Sequence, residues 1–126
     1  MMKIAMWACA ACLPVLEAAA APTAAELLSL CRPVASGGIS GEYAKFPQNF
    51  DTGICWGVFS AIQQTSRYMK DGRTLMGVCA PPTSRTSQLV AIFVRYAESR
   101  PQQHHEDGID LAYESLSNAF PCPSRK

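Results

Sequence analysis

Apolar residues recur along most of this chain at three- and four-residue steps, the spacing of helices that each bury one face. The first such segment opens at Thr23, where Thr23-Ala24-Ala25-Glu26 has the form of a capping box. Leu27, Leu28, Leu30 and Cys31 follow as an apolar face, and Pro33 is expected to end the helix. From Val34 to Gly53 the pattern lapses. Gly37, Gly38, Gly41, Pro47 and Gly53 mark an irregular loop with room for one helical turn near Glu42 to Phe46. A second helix is expected to begin at Asp51 or Thr52. It carries Cys55, Val58, Phe59, Ile62, Ser66 and Met69 on one stripe until Lys70-Asp71-Gly72-Arg73 stops it. A third follows Pro81-Pro82, capped by Thr83 or Ser84, with Leu89, Ile92, Phe93 and Tyr96 on its face. Pro101 separates it from a fourth, which groups His105, Ile109, Ala112, Leu116 and Ala119 and ends at Phe120-Pro121. No window alternates with period two between hairpin turns. The pattern predicts an all-α fold, a small four-helix domain of orthogonal or bundle-like arrangement with one long loop.

One apolar run does not fit this pattern. Ile4 to Leu16 follows the positive Lys3 and leads into Ala18-Ala19-Ala20. It is too short to span a bilayer, which takes roughly 20 residues. That order of charge, apolar core and small residues is the order of a signal peptide, with cleavage expected after Ala20. The remaining 106 residues are enough for one domain and carry 10 basic and 9 acidic side chains, a formal charge of +1. A balance so close to neutral argues against nucleic acid or an anionic membrane as the partner.

Export also sets the redox context. Cys31, Cys55, Cys79 and Cys122 remain after cleavage, spaced by 24, 24 and 43 residues, with no C-x-x-C among them. In an oxidising compartment that spacing points to two structural disulfides rather than a zinc or thioredoxin-like site. Three pairings are open. Chain reach suggests one of them. The second helix carries the chain roughly 22 Å away from Cys55. The ten residues from Lys70 to Cys79 span roughly 30 Å when extended, so Cys79 is able to return to Cys55. Cys31 then takes Cys122.

Catalytic chemistry finds little support. His104-His105-Glu106-Asp107, with Asp110 and Glu114 beyond, offers imidazoles and carboxylates, but a helical metal pair needs a spacing of four. His104 and His105 reach Gly108 and Ile109 at that spacing. The acidic residues instead suit the positive end of a helix dipole, and His105 falls on the apolar stripe as a packed side chain. No G-x-S-x-G elbow occurs, and Gly37-Gly38 with Gly41 lacks the frame of a phosphate loop. Neither a catalytic residue, a metal nor a cofactor is expected. Tyr43, Phe46, Phe50 and Trp56 either anchor a partner or cap the small core. Arg73 and Arg85, around Pro81-Pro82, form either a recognition loop or a solvated connection.

Several segments carry a family resemblance. Cys55-Trp56-Gly57-Val58-Phe59 at a helix start resembles the C-x-G-Y-[IV] opening of the Rap/Tai family, the type VI secretion amidase immunity proteins. Cys79-Ala80-Pro81-Pro82-Thr83-Ser84, the run from Gln88 to Tyr96, Arg100-Pro101, His105 and the closing Leu116 to Cys122 are similar to the rest of its pattern. The match covers about residues 50 to 122, and Cys31 fits the early cysteine. Val58-Phe59 departs from the usual tyrosine and aliphatic pair, so no role of that hydroxyl carries over. The resemblance implies an all-helical, disulfide-bonded periplasmic protein, commonly a homodimer. Its partner would be a papain-like Cys/His peptidoglycan amidase toxin, whose cleft it occludes. The blocking segment expected on this basis is Lys70 to Thr86, with Lys70, Arg73, Pro82, Ser84 and Arg85 as contacts and Cys79 at its base. A periplasmic binding module or inhibitor of another envelope enzyme is the alternative.

Overall fold

Thr23 caps helix α1, Ala24–Ser36, as its spacing predicts. Its hydroxyl accepts from the Glu26 amide at 3.3 Å, and the Glu26 carboxylate accepts the Thr23 amide at 2.8 Å. The structure, a computed structural model, describes residues 20–37, 39–40, 43–70, 73–74 and 76–123. The expected signal peptide lies outside them apart from Ala20, as do Gly38, Gly41, Glu42, Asp71 and Gly72. Helix α1 does not end at Pro33 but passes through it. A proline in the last turn lacks only one amide bond, and one further turn buries Val34 beside Cys31.

The stretch expected to be irregular holds a short antiparallel hairpin, β1 (Ile39–Ser40) with β2 (Tyr43–Ala44). Helix α2, Phe50–Thr65, starts one residue before the expected range because Asn49 is its cap. The Asn49 side chain accepts the Thr52 amide at 3.0 Å, and the Thr52 hydroxyl accepts the Asn49 amide at 3.2 Å. The expected stop after α2 is a second hairpin, β3 (Met69–Lys70) with β4 (Arg73–Thr74), so Met69 has left the helical stripe. Two-residue strands are too short to show alternation, which is why neither hairpin was legible. Helix α3, Thr86–Glu98, starts beyond both expected caps. A 3-10 turn at Pro101–Gln103 leads to helix α4, Gly108–Ala119, where Asp107 accepts the amides of Ile109 and Asp110 at 2.8 and 3.1 Å.

His105 therefore precedes α4 and is exposed, contrary to its expected place on the apolar face. His104 is the histidine that packs. It is half-buried, with Nε2 2.9 Å from the Ala97 carbonyl at the end of α3.

Helices α1 and α3 each pack against all three other helices, and α2 and α4 flank that pair. Leu27, Leu28, Cys31 and Val34 of α1 meet Cys55, Phe59 and Ile62 of α2. Leu89, Val90, Phe93 and Ala97 of α3 and Leu111, Ala112 and Leu116 of α4 close the core. Phe59 and Phe93 lie with ring centroids 5.3 Å apart at its centre. Burying one such side chain contributes about 1.5–3 kcal/mol. An exposed Arg32–Glu98 ion pair of 3.1 Å links α1 to α3 and adds little beside that.

The start of α1 is held by backbone. Its first two amides donate to the carbonyls of Glu106 and His104, at 2.8 and 3.0 Å, and the Gly108 amide donates to Pro22 at 2.8 Å. The connection from α3 to α4 thus completes the end of α1. A Cβ on Gly108 would stand 2.8 Å from the Pro22 carbonyl oxygen and 2.9 Å from that of Thr23.

The disulfides join Cys31 to Cys55 and Cys79 to Cys122, with Cα atoms 5.2 and 5.0 Å apart. The pairing of Cys55 with Cys79 and Cys31 with Cys122 is therefore wrong. Chain reach bounds only what is possible. Cys31 and Cys55 sit on the facing core stripes of α1 and α2, whereas Cys79 is brought to the C-terminal segment by backbone pairing. In the chain-entropy account, loops of 24 and 43 residues contribute about 3.5 and about 4 kcal/mol.

Gly108→Ala is expected to lower stability by about 1–3 kcal/mol in urea unfolding, because backbone oxygens occupy the space of the new methyl group. Gly57→Ala should raise it by about 0.5–1 kcal/mol, since its Cβ position on α2 faces open space.

Candidate functional site

The segment between α2 and α3 leaves the core and returns to it, and both turns are built from named contacts. Helix α2 is capped at its C-terminal end by Ser66, a buried residue whose hydroxyl donates to the Gln63 carbonyl at 2.8 Å. Arg67 and Tyr68 then lead outward to the β3–β4 hairpin. Gly77, at φ +72°, turns the chain back so that Val78 enters the core. Val78 pairs with Pro121, the Cys79 amide donates to the Phe120 carbonyl at 2.9 Å, and the Cys79–Cys122 disulfide locks the two strands of chain together.

The return is held by one side chain. The Gln63 amide group donates to the Ser84 carbonyl and accepts from the Thr86 hydroxyl at 2.8 Å. The Ser84 amide donates to Pro81 at 2.9 Å, closing a turn that pushes Pro82 and Thr83 outward. What remains outside is apolar and basic: Tyr68 is 72% exposed, Met76 52%, and Arg67, Pro81, Pro82 and Arg85 are exposed as well. Ser66, Arg67, Cys79, Ala80, Pro81 and Pro82 line a pocket of about 430 Å³ beneath this surface.

The structure divides the five expected contact residues. Pro82 and Arg85 are on the surface, and Lys70 and Arg73 stand opposite one another in the β3–β4 register. Ser84 is only 6% exposed, so it supports the segment from below. Arg67, Tyr68, Met76 and Gln63 were missed. The stripe Cys55, Phe59, Ile62 and Ser66 already turned away from Arg67 and Tyr68, a signal in the sequence for their exposure. Of the aromatic residues, Phe46 and Trp56 stack at 5.2 Å against the core, while Phe50 is 83% exposed.

The model of the Rap1a immunity proteins matches residues 23–122, from the cap of α1 to the last disulfide cysteine. The chain belongs to the Rap1a immunity protein family. Neither a curated protein nor a solved structure matches it. Membership makes it an immunity protein, whose task is to bind a cognate toxin. For a Rap1a immunity protein the surface just described is therefore the candidate interface. No described helix is long and apolar enough to cross a membrane, and no group of three or more potential metal ligands occurs among the described residues.

A polar cluster on the opposite flank joins α3 to α4. Tyr96 donates to Glu114 at 2.6 Å, Asn118 donates to Tyr96 at 2.9 Å, and the Arg100 guanidinium stacks 3.7 Å from the Tyr96 ring centre. Partial burial, and then the bond to the Glu114 carboxylate, push the phenol up from its ordinary value near 10.

Because the folded phenol keeps its proton to higher pH than the unfolded one, its contribution is present below pH 10 and lost as pH rises through the raised value. Tyr96→Phe is expected to flatten that alkaline decline in thermal unfolding scans. Cys79→Ser with Cys122→Ser should cost up to about 4 kcal/mol and speed amide exchange at Val78–Cys79 ahead of that in α1.

Proposed function

We propose that this Rap1a immunity protein acts in the periplasm, against a peptidoglycan amidase toxin of the papain-like Cys/His class delivered by type VI secretion. It binds the toxin and occludes the catalytic cleft, performing no catalysis of its own and needing no cofactor. The observation that carries this reading is the outward surface of Arg67, Tyr68, Met76, Pro81, Pro82 and Arg85, anchored by Gln63 and Cys79–Cys122 in a chain of this family. Occlusion needs shape and a few well-supported side chains rather than reactive groups, and an anchored loop loses little freedom on binding.

Two disulfides suit an oxidising compartment, and the Lys3 to Ala20 segment suits export with release of residues 21–126 as the mature single domain. Lys70, Arg73, Pro82 and Arg85 are the proposed contacts, joined by Arg67, Tyr68 and Met76. The homodimer implied by the family resemblance belongs to the same proposal. The exposed Phe50 supports it as an apolar side chain for a second copy to cover.

Titration calorimetry of the oxidised protein against the protein encoded beside its gene, with peptidoglycan cleavage by that protein assayed in parallel, tests the reading. Nanomolar binding that abolishes cleavage is the expected result. Binding without loss of cleavage would turn the function toward another envelope enzyme, and no binding would remove the amidase from it.

A further inference from the structure

Positive charge is gathered on the candidate interface although the chain as a whole is close to neutral. Residues 66–85 hold Arg67, Lys70, Arg73 and Arg85 against the single Asp71, within a chain of formal charge +1. Neither Arg67 nor Arg85 has an ion pair among the described residues. The acidic side chains gather elsewhere: Glu98, Glu106, Asp107, Asp110 and Glu114 lie where α3 ends and α4 begins. Helix α3 starts at the loop and ends at that cluster, so its 13 residues put about 20 Å between Arg85 and Glu98. That exceeds the screening length of about 8 Å at physiological salt, so the acidic end does not neutralise the loop.

The pocket adds a second element. Among the described residues Arg67 is the one charged side chain lining it, and the Ser66 hydroxyl is already committed to the Gln63 carbonyl. Pro81 and Pro82 bring no amide donors, and Ala80 and the Cys79 disulfide complete an apolar wall. At about 430 Å³ it falls toward the lower end of the range of about 300–1,000 Å³ for ligand sites, room for one large apolar side chain. Tyr68 and Met76 stand exposed in the same segment.

We propose that the toxin surface received by this segment is acidic and projects one large apolar side chain into the pocket beside Arg67. The inference rests on the amidase reading and specifies the partner's chemistry. The basic rim sets the rate of encounter, because exposed charges steer association and are screened by salt. The pocket sets the lifetime of the complex, because desolvated apolar anchors act mainly on dissociation.

The test measures association and dissociation rates of the oxidised protein with the amidase at ionic strengths from about 0.03 to about 0.3 M. Association is expected to fall about tenfold or more across that range. Arg67→Glu with Arg85→Glu should slow it about tenfold at low salt and abolish its salt dependence, while Glu98→Gln leaves it unchanged. Ala80→Leu, which narrows the pocket, should raise the dissociation rate about tenfold at an unaltered association rate. Thermal unfolding of each variant separates these effects from misfolding, and Arg67→Glu alone, at an exposed site, keeps the charge arm testable if Ala80→Leu fails to fold. Tight binding indifferent to salt and to Arg67→Glu would overturn the inference while leaving the amidase reading standing. Altered self-association in place of altered amidase binding would assign the surface to a second copy and overturn it as well. Absence of binding by the unsubstituted protein would remove both.

Discussion

Helix α1 has one apolar face and three helices to bury it against, and the rest of the structure is arranged around that burial. Ala24, Leu27, Leu28, Cys31 and Val34 are all inside, in contact with α2, α3 and α4. The start of α1 lies against the α3–α4 connection, so its first amides find protein partners there. The carbonyls of His104 and Glu106 supply them, which fixes the path of the α3–α4 connection and brings Gly108 against Pro22. The fully buried Cys31–Cys55 disulfide reinforces the same packing by holding α1 to α2.

A core closed in this way leaves the segment between α2 and α3 free to point outward. Beyond Ser66, Val78 and Ser84 are buried, and each marks a point of attachment. The protein thus supports a surface of Tyr68, Met76, prolines and arginines on a base that does not rearrange easily. For a toxin-binding chain that division is physically sensible. Rigid support lowers the entropy lost on association, and exposed arginines cost nothing in the free protein because water solvates them.

Much of the helical part was legible from residue types and spacing. Thr23 with Glu26 announced α1, and the steps from Cys55 to Ser66 and from Leu89 to Tyr96 announced the buried faces of α2 and α3. These signals are local, since a helix bonds to itself and displays its burial every three or four residues. Where the reading erred, the deciding partner was distant in sequence. Pro33 did not stop α1, because continued burial of Val34 outweighed one missing bond. His105 lost its expected place to His104, because the α3–α4 connection had first to reach the start of α1. The candidate surface was half legible. Its arginines and prolines stood out as a polar, turn-rich stretch, but the anchoring by Gln63 depends on residues more than 20 positions apart.

The sequence by itself determined the helical class, the number of cysteines available for disulfides and the resemblance to toxin-immunity proteins, all of which reside in composition, short-range spacing and motif. Tertiary structure alone decided which cysteines pair. Chain reach allowed Cys79 to meet Cys55, yet the facing stripes of α1 and α2 bring Cys31 there, and pairing of Val78 with Pro121 carries Cys79 to Cys122. It also decided that Ser84 turns inward while Tyr68 and Met76 remain in solvent. The reason is common to both. Pairing and exposure depend on which surfaces meet once the chain is folded, and no local spacing encodes the far side of a contact.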